Sequence, residues 1–164
     1  LGYRDRLIIP FYYEGNVVGW TGRSVTPDKQ PKYLTEVQPG FVYGLDEQNY
    51  NKSFAIVCEG QLDAIHIDGC ALGGSEISDQ QAMLLNRLQK QIIVCPDRDI
   101  AGKKLVEQAI DLGWSVALPD WSSEITDISE AVSKYGRLYT LYSIANTAED
   151  SPLKIRLRAK KWFT

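Results

Sequence analysis

The 164-residue sequence is poor in the residues from which metal centres and disulfide frameworks are built, with one histidine and three cysteines that form no C-x-x-C pair. A structural zinc site made by this chain alone is therefore not expected. Cys58, Cys70 and Cys95 are widely spaced and flanked by apolar residues. This pattern is typical of buried, reduced thiols in a cytosolic protein.

Long apolar segments are also missing. No apolar run approaches the roughly 18 residues that a membrane-spanning helix needs, and no secretory signal precedes the first strand-like segment. We therefore expect a cytosolic protein without membrane contact. Because the chain begins with Leu1 rather than methionine, we expect it to be a piece of a longer protein.

The net charge of −3 hides an uneven distribution, in which the middle of the chain is acidic and both ends are basic. A nucleic-acid partner fits this distribution if the acidic centre holds cations and the basic flanks contact phosphates. A solvated surface with scattered charge is the alternative. The basic residues at the two ends are Arg4, Arg6, Arg23, Lys29 and Lys32, and Lys154, Arg156, Arg158, Lys160 and Lys161.

Strand-like and helix-like patterns alternate from residue 53 onward. Continuous apolar runs predict strands that are buried on both faces, and segments with helical spacing lie between them. Parallel neighbours need crossover connections, so this alternation predicts an α/β fold with a Rossmann-like parallel sheet and flanking helices over 53–146. The predicted strands are 54–58, 70–72, 91–95 and 114–118, and the predicted helices begin near residues 61, 78, 100, 127 and 137.

Residues 1–50 are predicted to form a small, mostly β subdomain. The β-rich runs 6–13 and 16–23 flank Glu14-Gly15 and indicate a hairpin. Prolines then mark an irregular stretch to about residue 40, and FVYGL at 41–45 suggests a further short strand.

Residues 147–164 are predicted to be a basic C-terminal tail. Apolar and basic residues alternate over 153–158, which predicts a strand with one basic face that contacts DNA or a neighbouring domain. Trp162 lies among basic residues and is the tryptophan that we expect to stack on nucleic-acid bases. Core or partial burial is expected for Trp20.

Acidic residues follow three of the predicted strands. Glu59 directly follows the first buried strand, Asp97 and Asp99 follow the third, and Asp127 with Glu130 comes after the fourth strand and a loop. Because parallel strands place their carboxyl ends at one edge of the sheet, we expect these acids to converge there. Like charges in one place are tolerated when cations neutralise them, and the oxygen ligands favour Mg²⁺ or Mn²⁺.

Several acids also have a purely structural interpretation. Asp99 can cap the helix that follows it, and Asp127 has the spacing of a capping box with the acid three residues later. Asp63 lies in the first turn of its helix and complements the helix dipole. Glu59 and Asp97 have no such alternative role.

Three motifs around these acids resemble those of the Toprim domain. E-G-Q-L-D-A at 59–64 resembles its E-G-x-x-D-A motif, and D-R-D-I-A-G at 97–102 resembles its D-x-D-x-A-G motif. T-D-I-S-E at 126–130 is similar to the K-D-x-x-E element of phage-type and related primases, with threonine in place of lysine. The domain is shared by bacterial-type primases, type IA and type II topoisomerases and some nucleases.

The segment before these motifs indicates which of these Toprim-containing classes the chain resembles most. R-L-I-I-P at 6–10, G-W-T-G-R at 19–23, P-K-Y-L at 31–34 and Y-G-L at 43–45 resemble the segment that precedes the Toprim domain in bacterial-type primases and that topoisomerases lack. The chain thus resembles a primase catalytic core with a small, mostly β subdomain before its Toprim domain. The lack of the flanking zinc-binding and helicase-related regions of such primases fits either a fragment or a minimal phage enzyme. The basic tail has no counterpart in this resemblance.

The resemblance implies a nucleotidyltransferase that makes short RNA primers from ribonucleoside triphosphates on single-stranded DNA. It implies two Mg²⁺ or Mn²⁺ ions, a location in the bacterial or phage-infected host cytosol, and contact with a replicative helicase through regions not present here. The implied metal ligands are Glu59, Asp97, Asp99 and Asp127, of which the first three are catalytic. Asp63 and Glu130 are implied to support the site, and Arg23, Lys32 and Arg98 to face nucleotide or template.

The residues leave other interpretations open. Glu59 can act as a general base instead of a metal ligand. A Toprim nuclease would use the same ions to hydrolyse rather than to polymerise, and a non-catalytic Toprim-fold binding module would use the acids only as helix caps. Arg98, between two aspartates, would neutralise them without metal or touch substrate phosphate.

Overall fold

The structure is a computed structural model that describes residues 2–48 and 51–164. In this part of the chain no helix is long and apolar enough to cross a membrane. The strands are β1 Arg6–Tyr13, β2 Asn16–Ser24, β3 Tyr33–Val37, β4 Phe54–Cys58, β5 Cys70–Ala71, β6 Gln91–Val94, β7 Ser115–Ala117 and β8 Ala148–Glu149. The helices are α1 Gln61–Ile67, α2 Asp79–Asn86, α3 Ile100–Asp111, α4 Ile128–Tyr135, α5 Arg137–Thr147 and α6 Pro152–Trp162.

The N-terminal segment forms an antiparallel sheet in the order β1-β2-β3. The predicted hairpin is present, and its turn residues Glu14 and Gly15 both have positive φ angles, of 50° and 76°, as a two-residue turn that matches the strand twist requires. The stretch predicted to be irregular contains β3, which pairs only with β2.

The strand predicted for FVYGL is wrong, because this segment makes only an isolated bridge. Tyr43 pairs with Ala71 of β5, and the chain then turns at Gly44, which has a φ of 83°. A Cβ atom at Gly44 would lie 2.3 Å from the carbonyl oxygen of Gly69, so only glycine permits this close approach. The bridge ties the N-terminal segment to the edge of the larger sheet.

The larger sheet has the order β5-β4-β6-β7-β8, in which the first four strands are parallel and β8 is antiparallel to β7. This confirms the predicted α/β class. The apolar runs are buried because helices cover the sheet; Val57 and Val94, for example, are fully enclosed. The three cysteines also lie in the core, where burial raises the pKa of each thiol.

The connections of this sheet diverge at the boundary between β4 and β6. Helix α1 connects β4 to β5, which lies next to β4 toward one edge of the sheet. Helix α3 connects β6 to β7, which lies next to β6 toward the opposite edge. A crevice therefore opens at the carboxyl ends of β4 and β6, and open α/β sheets bind ligands at such a position.

The strand predicted for the C-terminal tail is also wrong, because this segment is the helix α6. Pro152 occupies its first turn, where its fixed φ angle suits a helix start. Ile155 and Trp162, seven residues apart, lie on the same face and are 1% and 7% exposed. The ring of Trp162 packs at 5.9 Å from that of Trp121, so Trp162 belongs to the core rather than to a stacking surface for bases.

Candidate active site

The two acids without an alternative role face each other at the crevice between β4 and β6. Glu59 directly follows β4, and its carbonyl oxygen accepts a hydrogen bond of 3.0 Å from the backbone N–H of Gly73. Its side chain reaches the loop after β6, where Oε1 accepts a bond of 3.4 Å from the backbone N–H of Asp97. The predicted convergence of the first two motifs is therefore present in the structure.

Asp97 is the most perturbed carboxyl group of this site. Burial is the largest of the effects that raise its pKa from 3.8 to about 8. The remaining effects come from four carboxylates at the same edge, namely Glu59, Asp63, Asp127 and Asp99. Burial, with the charges of Asp99 and Asp63, also raises the pKa of Glu59, although the bond from the Asp97 N–H opposes this. Carboxyl groups are thus concentrated where water is partly excluded, and without a cation the folded protein disfavours the charged form of Asp97.

Asp99 has the capping role that the sequence allowed. It is the N-cap of α3, and Oδ1 accepts a bond of 2.7 Å from the backbone N–H of Gly102. The helix start lies very close to the preceding loop, because a Cβ atom at Gly102 would lie 2.0 Å from the carbonyl oxygen of Asp97. The D-R-D-I-A-G segment is therefore a compact turn in which the cap and the glycine together position Asp97.

The third motif forms a reciprocal capping arrangement at the start of α4. Asp127 Oδ1 accepts a bond of 2.7 Å from the Glu130 N–H, and Glu130 Oε2 accepts a bond of 2.8 Å from the Thr126 N–H. The Thr126 carbonyl in turn accepts a bond of 2.7 Å from the Arg98 N–H, which ties this turn to the second motif. Burial is the main effect that raises the pKa of Asp127.

Asp63 joins the first motif to the third. It is buried, and its Oδ1 accepts bonds from both the backbone N–H of Ser129, at 2.8 Å, and the Ser129 hydroxyl. The Ser129 hydroxyl also lies 3.2 Å from Nδ1 of His66. Sequence reasoning missed Ser129, whose only signal was its place inside the third motif. Asp63 thereby links α1 to α4, and its predicted role in supporting the site stays a prediction.

Arg23 lies in β2 of the three-stranded sheet, and Lys32 directly precedes β3. The Arg23 guanidinium and the Lys32 ammonium are each 5.8 Å from the centre of the Tyr33 ring. Within the described part of the chain, neither forms an ion pair with an acidic residue. The two cations stand beside an aromatic ring, a combination that suits a nucleotide or a nucleic-acid strand, and their predicted role stays a prediction.

The structure does not bring the Arg98 side chain to the aspartates on either side of it. Its guanidinium lies 3.8 Å from the centre of the Trp162 ring and donates to the backbone carbonyls of Ser122, at 3.1 Å, and Trp121, at 3.5 Å. The interpretation that Arg98 neutralises Asp97 and Asp99 is therefore wrong. Cation–π contact and the carbonyl groups hold the side chain on the other side of the loop.

The donor chemistry of the crevice suits a hard divalent cation, although the acids do not form a closed cage. Among residues 2–48 and 51–164, no three histidine, cysteine or acidic side chains converge as a ready metal site. Asp99 and Asp127 are engaged as caps, and the carboxylates of Glu59 and Asp97 are left at the crevice. Mg²⁺ is commonly held by one or two carboxylates together with substrate phosphates, so these two residues fit such an ion.

We expect the stability of the protein without divalent cations to fall as the pH rises from about 4 to about 8. Because the pKa of Asp97 is raised from 3.8 to about 8 in the folded state, the folded protein binds this proton more tightly than the unfolded chain. The stabilisation is complete below the unfolded pKa and is lost as the pH rises through the folded one. Allowing for solvent screening of a partly exposed group, we expect a loss of about 1–2 kcal/mol.

Thermal denaturation in EDTA at several pH values between 4 and 9 measures this dependence. Asp97→Asn removes the titrating group and should flatten the curve between about pH 5 and 8. If Tm depends on pH equally in Asp97→Asn and in the unchanged protein, the raised pKa of Asp97 is not the cause of the pH dependence.

A family model described as Toprim-like matches residues 56–132. The chain is 30% identical over 158 residues to a DNA primase of Aquifex aeolicus, a match that covers 82% of this chain and 32% of that protein. The solved Aquifex aeolicus primase with zinc-binding and RNA polymerase domains is 25% identical and has a TM-score of 0.74, over 98% of this chain and 47% of that one. A primase catalytic domain solved bound to single-stranded DNA shares the fold, with 24% identity and a TM-score of 0.71 over 89% of this chain and 52% of that one.

The parallel sheet with acids at its carboxyl edge, together with the family match, defines a Toprim-like domain. The chain is homologous to DNA primase catalytic cores, and the structural match to the Aquifex aeolicus primase, which covers 98% of this chain, includes the three-stranded sheet before the Toprim-like domain. The chain spans about a third of the length of the Aquifex aeolicus relative. The phage origin stays a prediction.

Proposed function

We propose that this chain is the catalytic part of a DNA primase and joins ribonucleotides on a single-stranded DNA template. The observation that carries the proposal is the pair Glu59 and Asp97 at the crevice between β4 and β6, where burial and neighbouring carboxylates raise the pKa of Asp97 to about 8. A cation bound there would stabilise the ionised form of both carboxyl groups. The family relationship supports the polymerising reaction.

In this proposal Glu59 and Asp97 hold Mg²⁺ or Mn²⁺, and Asp127 and Asp99 contribute their remaining carboxylate oxygens, with two ions as the expected number. A bound divalent ion would make the attacking 3′-hydroxyl more acidic and neutralise charge on the phosphate that is transferred. If Glu59 does not bind metal, its raised pKa suits it to accept the proton of that hydroxyl.

The remaining residues position these groups and the substrates. Asp63 accepts a hydrogen bond from Ser129 and so keeps α1 packed against α4. Glu130 accepts a hydrogen bond from the Thr126 N–H and so fixes the turn that contains Asp127. We propose that Arg23 and Lys32, beside Tyr33, contact the nucleotide triphosphate or the template. We propose that contact with a replicative helicase and the choice of an initiation sequence depend on regions not present here.

A template-directed incorporation assay tests the function. The full chain is incubated with ribonucleoside triphosphates, single-stranded DNA of mixed sequence and Mg²⁺ or Mn²⁺, and products are separated on a denaturing gel. Short RNA chains that depend on template and metal are expected, and are lost in Glu59→Gln. Scission of the DNA without RNA synthesis would favour the nuclease, whereas neither reaction, with no metal-induced rise in Tm, would favour a non-catalytic binding module.

A further inference from the structure

A cavity beside the candidate active site is not used by the mechanism above. It has a volume of ≈ 810 Å³ and lies between the chain that follows β7 and the last turns of α6. Its lining includes Thr126, which directly precedes Asp127, and Arg98, which directly follows Asp97. The cavity therefore opens at the same carboxyl edge of the sheet as the acids, one strand further along.

The charge of this cavity is opposite to that of the neighbouring crevice. Arg98, Arg158 and Lys161 line it, together with the single acid Asp120. The Lys161 ammonium is 88% exposed and lies 3.9 Å from the Asp120 carboxylate, a distance that indicates a weak, screened pair. Arg158 donates to the Thr147 carbonyl at 2.9 Å and has no ion pair among the described residues. The cavity thus offers positive charge that the protein itself does not neutralise.

Two buried donors in the cavity wall have no hydrogen-bond partner. In the part of the chain that the structure describes, Arg98 Nε and Trp162 Nε1 are the buried side-chain nitrogens in this condition. Buried N–H groups are rarely left unpaired, and each exception calls for an explanation. Both atoms are donors, so the missing partner is an acceptor.

The size and walls of the cavity indicate more than a free phosphate. Leu118, Pro119 and Phe163 give the wall an apolar part, and the volume lies within the range of about 300–1,000 Å³ that is usual for organic ligands. We propose that this cavity binds a nucleoside phosphate, with phosphate oxygens at Arg158 and Lys161 and an acceptor group toward Arg98 and Trp162. The unit is either a free nucleotide or one nucleotide of a single strand.

This inference goes beyond the proposed function, because the site needs no metal and no reaction. Binding is therefore measured in EDTA, with adenosine triphosphate and a short oligothymidylate as separate probes, by quenching of tryptophan fluorescence and by anisotropy of a labelled strand. The test variants are Lys161→Glu and Arg158→Ala. Lys160→Glu is the matched control, since Lys160 is exposed on the same turn of α6 but does not line the cavity.

We expect Lys161→Glu and Arg158→Ala to weaken binding of at least one probe about tenfold and to reduce the salt dependence of log K by about one, with Lys160→Glu changing affinity less than about twofold. Loss confined to adenosine triphosphate identifies a free-nucleotide site, and loss confined to oligothymidylate identifies a strand site. If neither probe distinguishes the test variants from Lys160→Glu, the inference is overturned. Thermal denaturation establishes that Arg158→Ala is folded.

The outcome is independent of catalysis. Binding in EDTA is compared between the two test variants and Lys160→Glu, so the comparison does not depend on a metal ion held at the crevice. If Lys161→Glu and Arg158→Ala weaken probe binding but the unchanged protein synthesises no RNA, the cavity inference stands and the proposed function is wrong. If the protein synthesises RNA but these variants do not weaken probe binding, the proposed function stands and the cavity inference is wrong.

Discussion

Replacing Asp97 by asparagine should reduce metal-dependent ribonucleotide incorporation by about a thousandfold or more. The amide keeps the shape of the side chain but removes the charge that would hold a cation, and the loss of metal-assisted charge stabilisation is worth several kcal/mol. The same change should make the metal-free protein more stable near pH 8, because it removes a carboxyl group whose ionisation the folded state disfavours. A variant that is both more stable and inactive would show that the Asp97 carboxylate destabilises the metal-free fold and is needed for the reaction.

Two further substitutions separate this effect from general damage. Asp111→Asn changes an exposed aspartate at the end of α3 and should leave incorporation and stability nearly unchanged. Asp99→Asn is more informative, since asparagine caps a helix as well as aspartate does. A loss of activity comparable with that of Asp97→Asn would assign Asp99 to the metal, whereas near-normal activity would leave it a helix cap. Incorporation rates and Mn²⁺-dependent shifts of Tm measure both effects.

The arrangement of the larger sheet was predictable because its signals are local. Continuous apolar runs such as 54–58 predict strands, helical spacing between them requires crossovers, and parallel strands then place Glu59 and Asp97 at one edge. The cap at Asp99 was also open to prediction, because it depends on residues three apart. The local patterns thus predict that the carboxyl groups of Glu59 and Asp97 lie close together. The chemical roles of these groups stay predictions.

The errors occur where a distant partner decides the structure. Alternation over 153–158 matches a strand, yet the segment is a helix because Trp162 packs on Trp121, far away in the chain. The pattern also hid β3, whose strand character comes from pairing with β2. Tertiary packing overrides a short periodic pattern in both cases.

The position of the Arg98 side chain follows from the same tertiary contact. Sequence alone placed its charge between two acids, because neighbours in sequence were expected to be neighbours in space. In the structure, the residues on either side point toward the crevice or the helix start, while Arg98 lies over Trp162 of α6. The misplacement of Arg98 and the misassignment of α6 are therefore one error, since the aromatic partner becomes available only when the tail is helical.

Gly102→Ala should destabilise the protein by about 3 kcal/mol or more and disrupt the candidate site at the same time. An added Cβ atom would lie 2.0 Å from the Asp97 carbonyl oxygen and 3.2 Å from Pro96 Cβ, and neither of these atoms is the flexible end of a side chain. Relief requires the loop after β6 to move away from the start of α3, which lengthens the bond between Asp99 and the Gly102 N–H and shifts Asp97 from Glu59. Overpacking at a rigid position costs typically 1–3 kcal/mol, and loss of the cap adds to it.

Gly74→Ala is the matched control, because Gly74 follows a strand of the same sheet and a Cβ atom there meets nothing within 4 Å. Its effect on the free energy of unfolding should be within about 0.5 kcal/mol, and incorporation should be unchanged. Urea denaturation of both variants, with Mn²⁺ titration of Tm, measures the two effects together. A Gly102→Ala protein as stable as Gly74→Ala, with normal metal response, would mean that the loop and helix are not in contact and that Asp97 is positioned by something else.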